Sequence, residues 1–368
     1  MAIGCLASPI IGMVADRMFA SQKVLAALNL LGAGLLFAAS YMTSPISVTV
    51  LLVLQQLCYM PTWGLSSAIA MSHSPSDKFP QIRVFGSIGW VASGLFSLVA
   101  YHVFGKEIDG THVTLLCGAG ASVVAALLAL TLPDTPPPAK GKNASVIDAL
   151  GLRSFALLRD AHFAVFLGIS FLVMIPFTIY WSYCSVFLKD KGFEFITITM
   201  NWGQAVEMFV MLLVPLSLAK FGAKWTMAIG LVALVARYGF FLAGGTYDQS
   251  WMYFGAILVH GVIFGFFFVG GQVYVDKKAP PHLKAQAQGL IFLMTFGLGL
   301  LAGNFINGAL IAAYTTTTGA GEAAVKVYEW GPIWTITTVT SVALLGALIL
   351  LFRTKSEKAG QPAAAGAE

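Results

Sequence analysis

Long runs of apolar residues, separated by short polar turns, make up most of the chain. Most of these runs reach the length of about 20 residues that a helix needs to cross a bilayer. The predicted spans are 1–14, 24–42, 48–71, 83–104, 112–132, 162–188, 196–219, 225–243, 251–275, 286–313 and 333–352. The pattern predicts an all-α polytopic membrane protein with eleven visible spans, five before a long polar interval and six after it.

The polar interval opens Pro-Asp-Thr-Pro-Pro-Pro and carries four cationic residues. This composition is typical of a cytoplasmic linker between two helical bundles. We therefore predict an N-terminal transmembrane bundle at 1–132, the linker at 133–160, a C-terminal bundle at 161–353 and a cytoplasmic tail at 354–368.

The two halves resemble each other weakly. Residues 12–37 and 218–242 each place a short charged turn between two apolar spans, and the turns superpose with Lys23 on Lys224. On that register the span at 162–188 has no counterpart in the first half. Two halves of six helices are a known transporter plan, so we expect that the chain lacks its first helix and the beginning of its second. A genuine eleven-helix protein is the alternative.

Composition and charge support a membrane protein. Hydrophobic residues make up 58% of the chain, charged residues 10%, and the mean hydropathy is +0.81. The net charge of +5 is not gathered into a basic patch, so nucleic acid is not an expected partner. Alternate connections hold sixteen Lys and Arg residues on one side and four on the other, with Arg237 inside a span. The positive-inside rule then predicts a cytoplasmic C-terminus.

Other classes of chemistry find little support in the sequence. The four cysteines lie in apolar segments without C-x-x-C spacing, and the histidines lack a metal-binding spacing, so we expect no disulfide framework, metal or cofactor. The N-terminus lacks the basic region of a signal peptide. Enzyme motifs such as H-E-x-x-H, G-x-S-x-G or paired intramembrane aspartates do not occur. We predict that the protein is not an enzyme.

Glu207 is the first candidate for a functional residue, since it is the acid that falls well inside a predicted span. A charged carboxylate in hydrocarbon costs at least ~2.5 to 3.5 kcal/mol, so it should face a cavity, find a partner or take up a proton. Gln204 lies three residues earlier, on the same helical face. A structural ion pair between Glu207 and Arg237 is the alternative.

Two further sets of residues fit a central cavity. The span at 48–71 carries Gln55 and Tyr59 in a polar and aromatic row at helical spacing, and the span at 162–188 carries Thr178 and Trp181. Aromatic rings at these places would stack on a flat ring system. Packing between helices is the alternative for each of them. We interpret His260 as a packed neutral histidine, with a proton relay as the alternative, and Asn304 and Asn307 as packing residues, with a place on the cavity wall as the alternative.

Residues 12–17 read G-x-x-x-D-R, which resembles a cytoplasmic loop motif of the major facilitator superfamily. The further Gly-Arg-Arg of that motif is replaced by Met-Phe-Ala-Ser-Gln-Lys. The resemblance implies a gating role for Asp16 and Arg17, through contacts that form in one conformation and break in another.

Five blocks together resemble the nucleoside:H+ symporter family of that superfamily. They are Tyr-Met-Pro-Thr-Trp-Gly at 59–64, Phe-Pro-Gln-Ile-Arg-Val-Phe-Gly-Ser-Ile-Gly at 79–89, Gly-Leu-Arg-Ser-Phe-Ala-Leu-Leu at 151–158, Gln-Ala-Val-Glu at 204–207 and Ala-Gln-Ala-Gln-Gly at 285–289. The resemblance implies twelve helices and proton-coupled nucleoside uptake by alternating access in a bacterial inner membrane, by a monomer.

The same resemblance implies that Arg83, Ser87, Gln204 and Glu207 bind or couple the substrate. The chain departs from the family pattern at Gly265, where a second buried acid is expected, so Glu207 would have to serve as ligand and proton carrier together. A proton-coupled permease for sugars or other small glycosides and an inactive fragment or sensor are the competing functions.

Overall fold

The computed structural model describes residues 3–93, 99–100, 102–103, 105, 108, 111–138, 152–193, 196–318 and 325–353. The long helices within these ranges are α1 (Ser8–Arg17), α2 (Ser21–Ser40), α3 (Pro45–His73), α4 (Phe79–Ser93), α5 (His112–Leu130), α6 (Ala161–Asp190), α7 (Ile196–Met211), α8 (Val214–Tyr247), α9 (Ser250–Lys278), α10 (Pro281–Ala313) and α11 (Trp330–Leu351). Each predicted span overlaps at least one of them.

Eight of these helices in the described ranges are long and apolar enough to cross a membrane; α1, α4 and α7 are shorter. The helix count of six plus six stays a prediction, as do the domain boundaries. Residues 139–151 of the predicted linker and the tail from residue 354 lie outside the described residues.

The span predicted at 196–219 is interrupted. Helix α7 ends at Met211, and α8 begins at Val214 with Pro215 in its first turn. Proline lacks the backbone N–H of a helix interior and its ring clashes with the preceding turn, so the break falls just before it. The predicted turn near residue 220 lies within α8 at Gly222, whose φ of 72° suits glycine.

A short β-hairpin also lies outside the helical prediction. Strands β1 (Thr315–Thr318) and β2 (Val325–Tyr328) pair antiparallel in the connection from α10 to α11. The run of four threonines and the alternation of Val325 and Val327 with polar residues favour extended backbone. Glu329 continues the pairing by donating its backbone N–H to the carbonyl of Tyr314.

The helices pack in two sets that meet along two seams. Helix α2 packs on α3 and α5, while α8 packs on α11 and α6 packs on α10 and α11. The seams are formed by α1 against α10 and by α4 against α7. Large apolar side chains such as Phe85, Phe305 and Leu350 point outward, as expected for helices that face lipid.

An aromatic cluster fills the core of the second set. The Phe187 ring makes edge contacts at 5.0 to 5.2 Å with Tyr253, Trp330 and Trp334, and Trp334 stacks on Phe241 at 4.9 Å. Such pairs stabilise a fold by about 0.5 to 1.5 kcal/mol each beyond the area they bury. The cluster holds α6, α8, α9 and α11 together near the hairpin.

Helices α9 and α10 each change to π-helical geometry near the middle, at Ile263–Val269 and Leu293–Gly299. π-helical turns are rare in proteins as a whole. Where they occur, they are often at functional sites, because they turn side chains away from the regular helical face. Phe264 of the first segment lines the cavity described below, as do Phe292 and Leu300, which flank the second segment.

Candidate functional site

A cavity of about 1200 Å³ lies between α3 and α4 on one side and α6, α7, α9 and α10 on the other. Its wall includes six of the residues singled out from the sequence, Tyr59, Arg83, Ser87, Trp181, Gln204 and Glu207. Ligand pockets commonly measure about 300 to 1000 Å³. The cavity is therefore large enough for a small organic substrate together with water.

Glu207 faces this cavity from the middle of α7 and is 3% exposed. The Ser87 hydroxyl on α4 donates a hydrogen bond of 2.5 Å to its Oε1 atom. The Ser87–Glu207 hydrogen bond thus crosses the seam between the two sets of helices. Among the lining residues within the described part of the chain, Glu207 is the one acid.

Glycines allow α9 to approach α7 closely at this point. A Cβ atom added at Gly261 would lie 2.5 Å from both the backbone N and Cα of Glu207, and one added at Gly203 would lie 2.9 Å from the carbonyl oxygen of Ile257. No side chain fits at these distances, so the backbone position of Glu207 depends on the absence of a side chain at Gly261.

Arg83 brings the positive charge of the site. Its guanidinium lies over the Phe264 ring at 5.5 Å from the centroid and interacts electrostatically with Glu207 and Tyr59. The side chain folds back over Gly86, where an added Cβ would overlap the Nη1 atom. Gly86 therefore makes room for the guanidinium against the backbone of α4.

Aromatic rings line the cavity beside these polar groups. Tyr59 and Trp63 make an edge contact at 6.1 Å, Trp63 contacts Phe296 at 5.6 Å, and Trp181 stacks on Phe296 at 6.0 Å. The indole and phenol rings thus form one apolar wall that is anchored by Phe296. Such a wall suits a flat ring system.

Two of the predicted residues lie away from the cavity wall. Gln55 is 7% exposed, faces α2 near Gly32, and its Oε1 accepts a hydrogen bond of 3.0 Å from Gln56 Nε2; the neighbouring Gln56 lines the cavity instead. Thr178 is fully buried against Gly303 of α10. Gln55 packs towards α2 and Thr178 packs against α10, and these contacts between helices are not visible in the polar pattern of the sequence.

Other lining residues were missed from the sequence. Trp90 is one helical turn from Ser87 and shares its face, so spacing from Ser87 would have found it. Asn304, interpreted as a packing residue, lines the cavity and accepts a 2.8 Å hydrogen bond from Ser182. Asn307 does pack between helices, donating to the carbonyl of Ile175 at 2.8 Å.

Arg237 is the partner that the ion-pair alternative assigns to Glu207. In the structure its Nη2 atom instead bonds His260 Nδ1 at 2.8 Å, and its guanidinium stacks 4.0 Å from the Tyr180 ring centroid. His260 lies on the cavity wall with Nε2 at 3.9 Å from Glu207 Oε2. Histidine thus stands between the arginine and the carboxylate.

Asp16 and Arg17 lie on the α1–α10 seam, and both are buried. The Asp16 carboxylate accepts a 3.1 Å hydrogen bond from the backbone N–H of Gln286 in the first turns of α10. Added Cβ atoms at Gly12 and Gly289 would lie 2.8 and 2.7 Å from backbone oxygens across the seam. The helices are therefore in tight contact at this end of the molecule.

Within the described residues no group of three or more His, Cys, Asp or Glu side chains has the arrangement of a metal site. All four cysteines are free thiols.

Comparison with known proteins places the chain in a family. The model of the family described as nucleoside H+ symporter matches residues 1–357. YegT of Escherichia coli (strain K12) is 38% identical over 366 residues, which cover 97% of this chain and 84% of YegT. The nucleoside permease NupG of the same strain is 30% identical over 364 residues, 94% of this chain and 84% of NupG.

Solved structures support the same grouping. The crystal structure of the nucleoside transporter NupG superposes with a TM-score of 0.63 and 29% identity, covering 96% of this chain and 91% of that one. The proton:xylose symporter XylE, of the major facilitator superfamily, superposes with a TM-score of 0.68 at 12% identity, covering 96% and 84%. That second likeness shows the fold alone. The chain is a transporter of the major facilitator superfamily fold and belongs to the nucleoside H+ symporter family.

Proposed function

We propose that the protein takes up nucleosides together with protons by alternating access of its two sets of helices, and that Glu207 serves as both substrate ligand and proton carrier. The observation that carries the proposal is the buried Ser87–Glu207 hydrogen bond at a cavity between these sets. Family membership supports the nucleoside and the proton as the transported species.

The groups on the cavity wall match the chemistry of a nucleoside. Ser87 occupies Oε1 of Glu207, which leaves Oε2 to accept a ribose hydroxyl. The Gln204 amide can both donate and accept hydrogen bonds, as the edge of a nucleobase requires. The Arg83 guanidinium offers several N–H donors in a fixed planar arrangement. Trp181 and Tyr59 supply rings against which a base can stack.

The Ser87 hydroxyl is suited to both protonation states of Glu207. A hydroxyl donates to a carboxylate and accepts from a carboxylic acid, so the contact between α4 and α7 survives protonation with its direction reversed. In one conformation the acid takes a proton from outside; after the helices rearrange, a change in nearby charge and solvation releases it.

The α1–α10 seam fits the proposed gating role of Asp16. A carboxylate at the start of a helix satisfies free backbone N–H groups and is favoured by the helix dipole. Because Asp16 and Gln286 belong to different sets of helices, this contact exists only while that end is closed. Arg17 is proposed as its companion in the gate.

The excess of cationic residues on alternate connections supports a cytoplasmic C-terminus and a bacterial inner membrane as the location. A cavity enclosed by one chain supports function as a monomer.

The function is tested by uptake of radiolabelled uridine into proteoliposomes with an acidic exterior. We expect uptake to exceed that of vesicles without a pH gradient, and excess unlabelled nucleosides to compete. Free xylose or glucose at the same concentration should not compete, because a sugar fills only the ribose part of the site. Competition by the sugars and not by nucleosides would instead favour the glycoside permease.

Gly86→Ala tests the proposed role of Arg83. The added Cβ would overlap Nη1, so the guanidinium has to shift, and we expect the affinity for uridine to fall by about tenfold, the loss of one charge-assisted hydrogen bond. Gly89→Ala is the matched control, because an added Cβ there has no neighbour within 4 Å. Equal affinities in the two variants would exclude a role for the guanidinium position.

A further inference from the structure

Arg237 is a buried charged residue, and the mechanism proposed for Glu207 gives it no role. It is 0% exposed, and its Nε and Nη1 atoms have no hydrogen-bond partner among the described residues. Burying a guanidinium with donors left unsatisfied destabilises a protein strongly. A group kept at such a cost calls for a role, and its 2.8 Å contact with His260 Nδ1 points to it.

The contact with Arg237 determines which nitrogen of His260 carries the proton. A guanidinium has donors and no acceptor, so Nδ1 of His260 must accept from Nη2 and cannot itself bear a hydrogen. A neutral imidazole then carries its hydrogen on Nε2. Phe177, Tyr180 and Phe264 lie roughly parallel to the imidazole at ring distances of 5.3 to 6.4 Å and limit its rotation.

The Nε2–H of His260 is close to Glu207. Nε2 lies 3.9 Å from Oε2, the carboxylate oxygen that Ser87 leaves free, and has no hydrogen-bond partner among the described residues. This separation is longer than a hydrogen bond. A carboxylate movement of about 1 Å, or one bridging water, would complete the contact.

We propose that Arg237 and His260 form a positioning pair for the proton step at Glu207, an inference that rests on the proposed function. Arg237 prevents His260 from becoming a second proton carrier, and His260 offers its Nε2–H to the ionised form of Glu207 alone. When the proton is on Oε1 and the substrate hydroxyl occupies Oε2, the His260 donor is displaced; when both leave, the Nε2–H takes the place of the substrate hydroxyl. The pair thereby sets the pH at which the proton is released.

Other polar and titratable groups lie around Glu207 and Arg237 and remain unchanged in the test. Arg83 and Ser87 face Glu207 from α4. Tyr180 and Cys184 on α6 and Tyr238 on α8 lie near Arg237. None of these phenol, thiol or hydroxyl groups replaces a donor at the position of Nε2.

The experiment compares His260→Gln with His260→Asn. Both side chains are polar and similar in size, yet the glutamine amide reaches the depth of Nε2 while the asparagine amide reaches only that of Nδ1. Uridine uptake driven by a pH gradient is measured in proteoliposomes over a pH series, alongside uridine counterflow, which needs no net proton movement.

We expect the pH midpoint of driven uptake to rise by about one unit in His260→Asn, because the ionised carboxylate loses a charge-assisted donor. His260→Gln should keep the wild-type midpoint, and counterflow should fall by less than about threefold in both, since the substrate ligands are intact. If His260→Asn abolishes counterflow through misfolding, His260→Phe replaces it, because phenylalanine keeps the ring packing without the donor.

Midpoints equal to wild type in the asparagine or phenylalanine variant would overturn the proposal. So would an equal shift in both the glutamine and asparagine variants, which would indicate a packing role. Glu207→Gln separates this outcome from failure of the proposed function, since pH-dependent accumulation that persists in Glu207→Gln removes the proton from Glu207 altogether.

Discussion

Glu207→Gln is expected to abolish accumulation of uridine against its gradient. With one proton moved per nucleoside, a gradient of one pH unit supports an accumulation of about tenfold, since one unit corresponds to about 1.36 kcal/mol. Glutamine keeps an acceptor oxygen for one of the two hydroxyls and offers an NH2 donor to the other, but it carries no titratable proton. The inside-to-outside ratio should therefore fall to about 1 while uridine counterflow continues.

The control for this substitution is Glu329→Gln, which removes an exposed acid in the connection to α11. Accumulation should remain at the wild-type ratio in that variant. The ratio is read from radiolabelled uridine inside proteoliposomes at the plateau. A Glu207→Gln protein that still reaches about tenfold accumulation would rule out Glu207 as the proton carrier.

Gly261→Ala is expected to reduce driven uptake by about a hundredfold, the loss that a displacement of about 1 Å at a reacting group can cause. The added Cβ at 2.5 Å from the N and Cα atoms of Glu207 meets backbone, which cannot rotate away. Helix α7 has to move from α9, which displaces the carboxylate from Ser87 and from His260.

Gly255→Ala is the matched control on the same helix, because its added Cβ would contact only the Phe240 ring at 3.8 Å. Uptake rates are compared at equal amounts of protein in the membrane. Gly261→Ala with wild-type uptake would show that the position of Glu207 is not fixed by the α7–α9 contact, and a loss as large in Gly255→Ala would point to general destabilisation.

The helical architecture could be predicted from the sequence because the bilayer imposes it. A backbone in hydrocarbon has to satisfy its own hydrogen bonds, so each long apolar run becomes a helix, and comparison with known proteins confirms the predicted fold class and family. Glu207 was recognisable as a cavity candidate for the same reason. An ionised acid at that depth is energetically costly unless it faces a cavity, has a partner or takes up a proton.

Details that depend on helix rotation and backbone contact could not be predicted. Gln55 and Gln56 are adjacent and chemically identical, yet only Gln56 lines the cavity, because neighbouring helical positions differ by about 100°. The closeness of Gly261 to Glu207 joins residues on separate helices and leaves no pattern in the sequence. The π-helical segments and the Arg237–His260 contact likewise arise from packing.

The most direct test of Glu207 as both ligand and proton carrier is proton movement caused by the nucleoside itself. Uridine is added outside proteoliposomes that lack any imposed pH gradient, and the external pH is recorded. Wild-type protein should make the exterior more alkaline as uridine and protons enter together, and Glu207→Gln should give no change. Uridine-induced alkalinisation of equal size in Glu207→Gln would contradict the proposed mechanism.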